Sequence, residues 1–534
     1  MLMLTAARPM LAATPDDQVE IPFLRLFEPL LRQSRAQLQS RISVCPQSVS
    51  CAALAMLEHS LARTLSDICA ETLALEFSLF RFRHGRFPKV SDPLSPKCAL
   101  YDDFANKMVG DNFGRLFADY PALQNLPALC VEQWTTVNAE LLERFLRDRP
   151  MLSEVFAAGR DPGSVIAIET GLSDRHDHGR SVAALSFESG LRLIYKPRDV
   201  HSELFYFSLV DWLNHNGAPL DFRTVRVLPR NAYGWVEFVE HRPCQNSFKA
   251  QQFYRRAGQL LFLLYILSAV DCHFDNIIAS GEHPVLVDTE MLLQPLLIAD
   301  TSSPAHSVLR TGLLPRTSET GNDLSGLGCT EDQSLPLLIP HWLHANSDAM
   351  ALTLKNASLH PQSNVPLLQS AKLSPLDYVD SMIDGFRAMY LYILGNRPRL
   401  LARDGPLSAM DHQKVRVLSR GTLEYYRALT HMLHPRRLRN ATRLEVRFDH
   451  PPRFPFLDAL EVNALERLDV PRFFVDASAD LLAAPGSPNH FAPFAQSGRS
   501  RVLSLMEALH ESQLEQQVKL IRAAWALSAL SQLS

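Results

Sequence analysis

One short stretch of the chain, residues 271–295, concentrates side chains that bind metals or move protons. It reads DCHFDNIIASGEHPVLVDTEMLLQP and carries Asp271, Asn276 and Asp288 around two apolar runs. Carboxylate and amide oxygens are the hard ligands that magnesium takes, and magnesium offsets the charge of a phosphoryl group during its transfer. The composition of this stretch therefore points to phosphoryl-transfer chemistry.

The spacing of these residues matches the needs of a kinase-like site. Asn276 follows Asp271 by five residues, and Asp288 closes the run PVLVD. Earlier in the chain, Lys196 ends the run LIYK, and a lysine on a strand can pair with nucleotide phosphates. His273 completes an Asp-x-His-x-x-Asn pattern, which is closer to the catalytic loop of lipid kinases than to that of protein kinases.

Each of these residues also has an ordinary structural explanation. A lysine before a proline is usually a surface residue at the end of a strand, and Asp and Asn favour turns and helix ends. The neighbouring Asp275 fits a solvated loop charge. No G-x-G-x-x-G motif precedes the first hairpin, which argues against a standard protein kinase. The order and spacing of the whole set favour the functional interpretation.

Three predicted hairpins and one long helix would position these side chains. The runs SVAALSF and LRLIYKP flank a Glu-Ser-Gly turn, TVRVLPR and YGWVEFVE form a second pair, and NIIAS and PVLVDTE form a third. Between the second and third pairs, AQQFYRRAGQLLFLLYILSAV is long and regular enough to be a buried helix. These elements predict an α+β fold.

The pattern of the chain changes along its length and divides it into four predicted regions. Residues 1–160 have helical periodicity, and residues 161–300 hold the hairpins and the candidate site. Residues 301–373 are rich in Ser, Thr, Pro and Leu without a clear period, which predicts loops. Residues 374–534 return to a helical pattern, and Arg416 is expected on one of those helices.

Composition argues against several classes of protein. The 534 residues carry a formal net charge of −4, with 46% hydrophobic and 21% charged residues, as in ordinary globular proteins. Nothing in this balance suggests nucleic-acid binding, and the longest apolar run, LLFLLYILSAV, is too short for a transmembrane helix. Eight scattered cysteines without a C-x-x-C pair fit reduced thiols in the cytoplasm and argue against structural zinc.

Several motifs together resemble the dehydratase domain of class II lanthipeptide synthetases, the LanM type. They are GLSDRHDHGRSV, LIYKPRDV, YGWVEFV, the stretch at residues 271–295, VRVLSRGTLEYYRALT and DVPRFF, in the family's order over most of the chain. The resemblance implies a helical N-terminal region before a lipid-kinase-like bilobal core, with an antiparallel sheet lobe plus a helical lobe. It implies that ATP and magnesium serve to phosphorylate Ser and Thr of a leader-bearing precursor peptide, and that the phosphate is then eliminated.

The resemblance also implies roles for individual residues. The positions that match phosphorylation residues are Lys196, Asp271, His273, Asn276, Asp288 and Glu290. The positions that match elimination residues are Asp174, His176, Arg416 and Thr422. In this assignment Asn276 and Asp288 bind the metal, while Lys196 and Glu290 bind the nucleotide. Elimination needs a base for the α-proton and a cation for the departing phosphate, roles that suit a histidine and an arginine.

Full synthetases of this type continue into a zinc-dependent cyclase, and these 534 residues hold no cyclase-like Cys-His cluster. We therefore expect dehydration without ring formation, with a separate cyclase or other tailoring enzyme as a further partner. Two alternatives stay open: a peptide kinase that stops at phosphorylation, and a catalytically inactive module that binds the precursor. The intact kinase-like residues count against the inactive module, and the intact elimination residues count against the simple kinase.

Overall fold

The computed structural model describes residues 20–42, 48–85, 98–298, 307–316, 321–361, 363–411, 413–484 and 487–533. They form a mixed α/β structure. Its α-helices are α1 (Leu24–Arg41), α2 (Cys51–Arg83), α3 (Ala99–Gly110), α4 (Gly114–Asp119), α5 (Asn125–Ala157), α6 (His201–His215), α7 (Ser247–Ile266), α8 (Val379–Leu400), α9 (Thr422–Met432), α10 (Pro435–Leu438), α11 (Asp458–Glu466), α12 (Gly498–Glu507) and α13 (Glu511–Leu533).

The β-strands lie mainly in the middle of the chain and before its last two helices. They are β1 (Val165–Thr170), β2 (Ala183–Phe187), β3 (Arg192–Lys196), β4 (Val227–Arg230), β5 (Tyr233–Glu237), β6 (Ile277–Ser280), β7 (His283–Leu286), β8 (Leu296–Leu297), β9 (Gln333–Leu343), β10 (Ala351–Leu359), β11 (Leu367–Leu368), β12 (Ala371–Lys372), β13 (Lys414–Val417), β14 (Phe473–Asp476), β15 (Leu481–Ala484) and β16 (Ser487–Gln496).

The helical N-terminal region is confirmed over its described part; residues 1–19, 43–47 and 86–97 lie outside it. Helix α2 begins where the side chain of Ser50 accepts a hydrogen bond from the third amide of the helix, a common N-cap. The apolar faces of α2 and α5 share one core with inward side chains of the sheet, such as Tyr195. The N-terminal helices therefore support the sheet directly.

Strands β1 to β5 form an antiparallel sheet in the order β1-β2-β3-β5-β4, and this confirms the first two predicted hairpins. Lys196 ends β3 opposite Gly234 of β5. A Cβ atom on Gly234 would lie 2.2 Å from a methyl group of Val200, so glycine lets the residue before α6 pack against the sheet. This close contact brings the first turn of α6 next to the end of β3.

The third predicted hairpin, β6–β7, and the predicted buried helix, α7, are also confirmed. Helix α7 packs against α8 at a glycine contact formed by Gly258 and Gly385. Their Cβ positions would each lie 1.8 Å from a backbone carbonyl oxygen of the other helix, that of Met382 or Arg255. The two helices therefore approach so closely that neither glycine can carry a side chain without a backbone shift.

We expect Gly258→Ala to lower the free energy of unfolding by about 1–3 kcal/mol or more, as overpacking of a tight contact does. The obstructing atom belongs to the backbone, so no rotamer change relieves the clash. Thermal unfolding monitored by circular dichroism measures the effect. Gly395→Ala in α8 is the control, because a Cβ there meets nothing within 4 Å and alanine favours a helix. Equal unfolding temperatures for both variants would contradict this explanation.

Two regional expectations differ from the structure. Within residues 301–373, predicted to be loops, β9 and β10 pair as a long antiparallel ribbon. The two prolines of β9 interrupt the sequence pattern, although alternate residues of this strand pack towards α9. Arg416 lies on β13 opposite Phe474 of β14, and its expected place in a helix is wrong. The run KVRV alternates with a period of two, which the surrounding helical pattern obscured.

Within the described ranges, no helix combines the length and the hydrophobicity needed to cross a bilayer. Helix α7, which carries the longest apolar run, is instead buried in a core formed with α8 and the β6–β7 hairpin. The seven cysteines in the described part of the chain all have free thiols, as their scattered spacing predicted.

Candidate active site

A cavity of about 270 Å³ lies between the sheet, the β6–β7 hairpin and the start of β14. Most of the residues singled out in the sequence line it, although they come from segments far apart in the chain. They are Asp174, His176, Lys196, Asn276, Asp288, Glu290 and Arg416. The cavity therefore joins the two sets of residues that the sequence assigned to separate half-reactions.

Lys196 points into a buried network of charges. Its Nζ donates one hydrogen bond to Glu203 of α6 and one to the carbonyl of Val287, each 2.8 Å long. Arg198 also donates two hydrogen bonds to the Glu203 carboxylate, at 2.7 and 3.1 Å. Burial alone would raise the pKa of Glu203, but Arg198 and Lys196 hold it well below its ordinary value. The network fixes the lysine at the cavity wall.

Arg198 and Glu203 were missed in the sequence, although both follow Lys196 within the run YKPRDVHSE. The available signal was chemical: a lysine buried at the end of an apolar strand needs a carboxylate partner nearby. The first turn of α6 supplies it seven residues later. The pair joins the end of β3 to the first turn of α6.

Asp288 has the most exposed carboxylate of this network, with 37% of its side chain accessible. Its Oδ1 accepts hydrogen bonds from Arg198 at 3.3 Å and from the backbone N–H of Glu290 at 3.1 Å. Asn276 is oriented by a hydrogen bond from its Nδ2 to the carbonyl of Asp271, 2.9 Å long. Both side chains therefore present oxygen atoms at the cavity from fixed positions.

No group of three or more His, Cys, Asp and Glu residues in the described ranges is arranged to hold a metal ion. Magnesium does not require such a cage, since it is commonly held by one or two protein oxygens together with phosphate oxygens and water. The accessible carboxylate of Asp288 and the oriented amide of Asn276 fit an ion of that kind. They do not fit a transition-metal site built from protein ligands alone.

Three of the predicted site residues lie outside the cavity lining: Asp271, His273 and Thr422. Asp271 has a left-handed backbone with a φ of 62° at the turn after α7. His273 is buried, and no described residue hydrogen-bonds to either of its ring nitrogens; burial lowers its pKa. Thr422 is buried at the first position of α9.

Asp275 was expected to be a solvated loop charge, but it lines the cavity. Burial raises its pKa to about 7.

His176 is buried in the loop of residues 174–180, where a solvated position had also been possible. Its Nδ1 lies 2.6 Å from the carbonyl oxygen of Val470. A carbonyl can only accept, so this contact assigns the proton to Nδ1 and leaves Nε2 as the basic nitrogen. Burial lowers the pKa of His176 well below its ordinary value, and the charges of Arg472 and Arg416 lower it further. The imidazole is therefore a neutral base at pH 7.

The loop of residues 174–180 is held by a segment almost three hundred positions later, residues 469–472. The carboxylate of Asp469 accepts hydrogen bonds from the backbone N–H groups of His178 and Gly179, at 2.7 and 2.8 Å. The N–H of Val470 donates to the carbonyl of residue 175 at 2.7 Å. These contacts hold the loop that carries His176, and the carbonyl of Val470 orients its ring.

Three arginines surround the buried carboxylate of Glu290. Arg198 contacts one carboxylate oxygen directly, Arg416 lies 3.4 Å away, and Arg472 lies 3.7 Å away. Burial alone would raise the pKa of Glu290, but these guanidinium groups hold it below its ordinary value. Arg472 also forms a 2.5 Å ion pair with Asp177. Arg472 lies in the motif DVPRFF, which contributes to the family resemblance, but the sequence assigned this arginine no role.

The described residues thus form a mixed α/β chain in which the lysine of a buried Lys–Glu pair and several arginines line one cavity. A family profile described as "Domain of unknown function (DUF4135)" matches residues 120–476, a range that includes the whole cavity lining. The match covers more than half of the chain, so the chain belongs to this family.

The chain is also similar to a named protein, the "Lacticin 481/lactococcin biosynthesis protein LcnDR2" of Lactococcus lactis subsp. lactis. The two are 25% identical over 505 residues, which cover 88% of this chain and 52% of that protein. The chain thus spans about half the length of the curated relative that it matches. Together with the family match, this similarity confirms the relationship to class II lanthipeptide synthetases that the motifs predicted.

Proposed function

We propose that this chain dehydrates Ser and Thr residues of a precursor peptide in lanthipeptide biosynthesis, by ATP-dependent phosphorylation and subsequent elimination of the phosphate. The observation that carries the proposal is the shared cavity, in which Lys196 and His176 line the same space. A side chain phosphorylated there meets a neutral base without leaving the protein. A kinase that stops at phosphorylation would have no use for such a base.

The proposed cofactors are ATP and magnesium, bound in a lipid-kinase-like bilobal core. Strands β1 to β5 would form the sheet lobe, and α7 with α8 the centre of the helical lobe. The apolar side chains of Ile194, Val236 and Phe238 on the sheet side of the cavity suit a nucleotide base. When bound, ATP with magnesium would supply the phosphoryl group with its charge partly offset.

The chain's own groups would position that reaction. Lys196, fixed by Glu203, would orient nucleotide phosphates, while Asn276 and Asp288 would hold the metal. Asp271 remains the proposed acceptor of the substrate hydroxyl proton. Its carbonyl orients Asn276, so the two residues of the loop act as one unit. His273 and Glu290 keep their proposed catalytic and nucleotide-binding roles.

For the elimination, we propose that Nε2 of His176 removes the α-proton of the phosphorylated residue. The C–H electron pair forms the Cα=Cβ double bond, and the Cβ–O bond breaks with its electrons leaving on phosphate. The imidazolium then gives its proton to the phosphate, which departs as hydrogen phosphate. Arg416 would stabilise the leaving group, with Asp174 and Thr422 as further elimination residues.

The proposed partner is a precursor peptide with a leader, handled in the cytoplasm. That this chain forms no thioether rings, and that a separate cyclase or tailoring enzyme follows it, stays a prediction.

The test is to incubate the chain with ATP, magnesium and a leader-bearing, Ser/Thr-rich precursor peptide of a class II lanthipeptide, and to follow the peptide by mass spectrometry. Loss of water from the peptide is the expected result. Stable phosphopeptide alone would favour the simple kinase. A peptide that stays unchanged would favour the inactive binding module.

We expect Lys196→Ala to slow phosphorylation by about 10²-fold to 10³-fold, the usual effect of removing one preorganised charged donor from a reaction centre. Elimination from a synthetic phosphoserine peptide should persist, because the base and Arg416 lie on other segments. Lys249→Ala is the control, since its ammonium pairs with Glu282 and does not line the cavity. Equal phosphorylation rates for both variants would contradict the assignment.

A further inference from the structure

Arg416 and Arg472 form a pair of buried cations in one wall of the cavity. Their side chains are 7% and 8% exposed, and both line the space that His176 also faces. They come from β13 and from the residue before β14, two strands that pair with each other. The strand pairing therefore holds the two guanidinium groups next to one another.

Both arginines have hydrogen-bonding capacity that the protein leaves unused. The Nε–H groups of Arg416 and Arg472 are buried, and neither has a hydrogen-bond partner among the described residues. An arginine presents five N–H donors in a planar fork, and a buried donor without an acceptor is unfavourable. Two such donors in one cavity wall point to an absent acceptor with several oxygen atoms.

The ion pairs of these two arginines with Glu290 are loose enough to admit an anion. Glu290 lies 3.4 Å from Arg416 and 3.7 Å from Arg472, and Arg198 contacts it more closely than either of them does. Arg472 also pairs with Asp177, but that carboxylate is 58% exposed and therefore screened by water. Two buried guanidinium groups side by side match a phosphate dianion, because its oxygen atoms suit the fork of arginine.

We propose that Arg472 is a second phosphate-binding residue, and that Arg416 and Arg472 together hold the phosphoryl group of a phosphorylated Ser or Thr side chain beside His176. This inference rests on the proposed function. Glu290 holds the two guanidinium groups in place while no phosphate is present. When the Cβ–O bond breaks, the added negative charge develops on an oxygen next to two fixed cations, which lowers the barrier to elimination.

The competing explanation is that Arg472 only anchors the histidine loop through Asp177. The structure offers a matched variant that separates the two roles. Asp177→Asn removes the ion pair between the loop and Arg472 but leaves the guanidinium in the cavity wall. Other contacts of the loop, from Asp469 and Val470, remain in this variant.

The experiment uses the full chain and a synthetic phosphoserine peptide based on the precursor, without ATP, and measures the rate of phosphate release. We expect Arg472→Ala to be slower by about 10²-fold or more. Arg472→Lys should be intermediate, because an ammonium keeps the charge and loses the fork. Asp177→Asn should remain within about threefold of wild type, as the loss of an exposed ion pair permits. Inorganic phosphate should inhibit wild type more strongly than Arg472→Ala.

Each outcome decides the question. If wild type releases no phosphate from the peptide, the proposed function falls and this inference with it. If wild type is active and Arg472→Ala and Arg472→Lys match it, only the inference is overturned. Equal losses in Arg472→Ala and Asp177→Asn, with unchanged inhibition by phosphate, would assign Arg472 to the loop and overturn phosphate binding. If Arg472→Ala does not fold, the lysine variant and the phosphate inhibition carry the test.

Discussion

Asp288→Ala should abolish phosphorylation of a precursor peptide by this chain, with a loss of at least about 10³-fold. A metal ion contributes several kcal/mol of charge stabilisation to a phosphoryl-transfer transition state, and each 1.36 kcal/mol corresponds to about a factor of ten. Asp288 offers the most accessible carboxylate of the buried network, with 37% of its side chain exposed. Removing it leaves Asn276 as the other proposed metal ligand, which is a neutral amide.

The measurement is the yield of phosphopeptide and dehydrated peptide by mass spectrometry after incubation with ATP and magnesium. Arg198 keeps Glu203 and Glu290 as partners in the variant, so the fold should persist, and circular dichroism can verify this. Asp211→Ala on the exposed face of α6 is the control and should behave as wild type. Phosphorylation by Asp288→Ala at a rate near that of wild type would remove this residue from the proposed metal site.

His176→Ala should separate the two half-reactions, with elimination slower by about 10²-fold to 10⁴-fold and phosphopeptide accumulating. The variant removes the neutral nitrogen that faces the cavity and leaves Lys196 and Asp288 on other segments. The time course of peptide mass should show a gain of phosphate in place of the loss of water.

His178→Asn is the matched control, because residue 178 is exposed in the same loop and its φ of 69° is one that asparagine tolerates. Dehydration at the wild-type rate by His176→Ala would end the proposed role of this residue as a base. A variant that yields neither product would place His176 in nucleotide binding or in folding.

The burial of His176 predicts how elimination by the wild type should depend on pH. A folded-state pKa well below 6.5 means that His176 is already deprotonated at pH 6.5 and above. The basic form is lost only as pH falls through that lowered pKa. The titration of His176 should therefore cause no decline in the elimination rate between pH 8 and pH 6.5. A decline in wild type that is absent from His176→Ala would contradict a neutral His176 in this pH range.

The sequence by itself determined the elements that carry the site. Each hairpin and the buried helix α7 could be recognised because alternation and helical periodicity are local properties of a run of residues. For the same reason Lys196 was correctly placed at the end of its strand, and Asp288 after the third hairpin. Glu203 follows Lys196 by only seven residues. It could have been found in the sequence, because a buried lysine needs a carboxylate partner.

Only the tertiary structure decided which of these residues meet. The sequence pattern around Arg416 suggested a helix, but pairing with β14 makes it a strand and places Arg472 beside the cavity. The carbonyl that orients His176 lies 294 residues later in the chain, and a backbone carbonyl leaves no mark in side-chain spacing. The sequence thus determined which groups can do chemistry, whereas packing decided which nitrogen of His176 is basic and which cations face it.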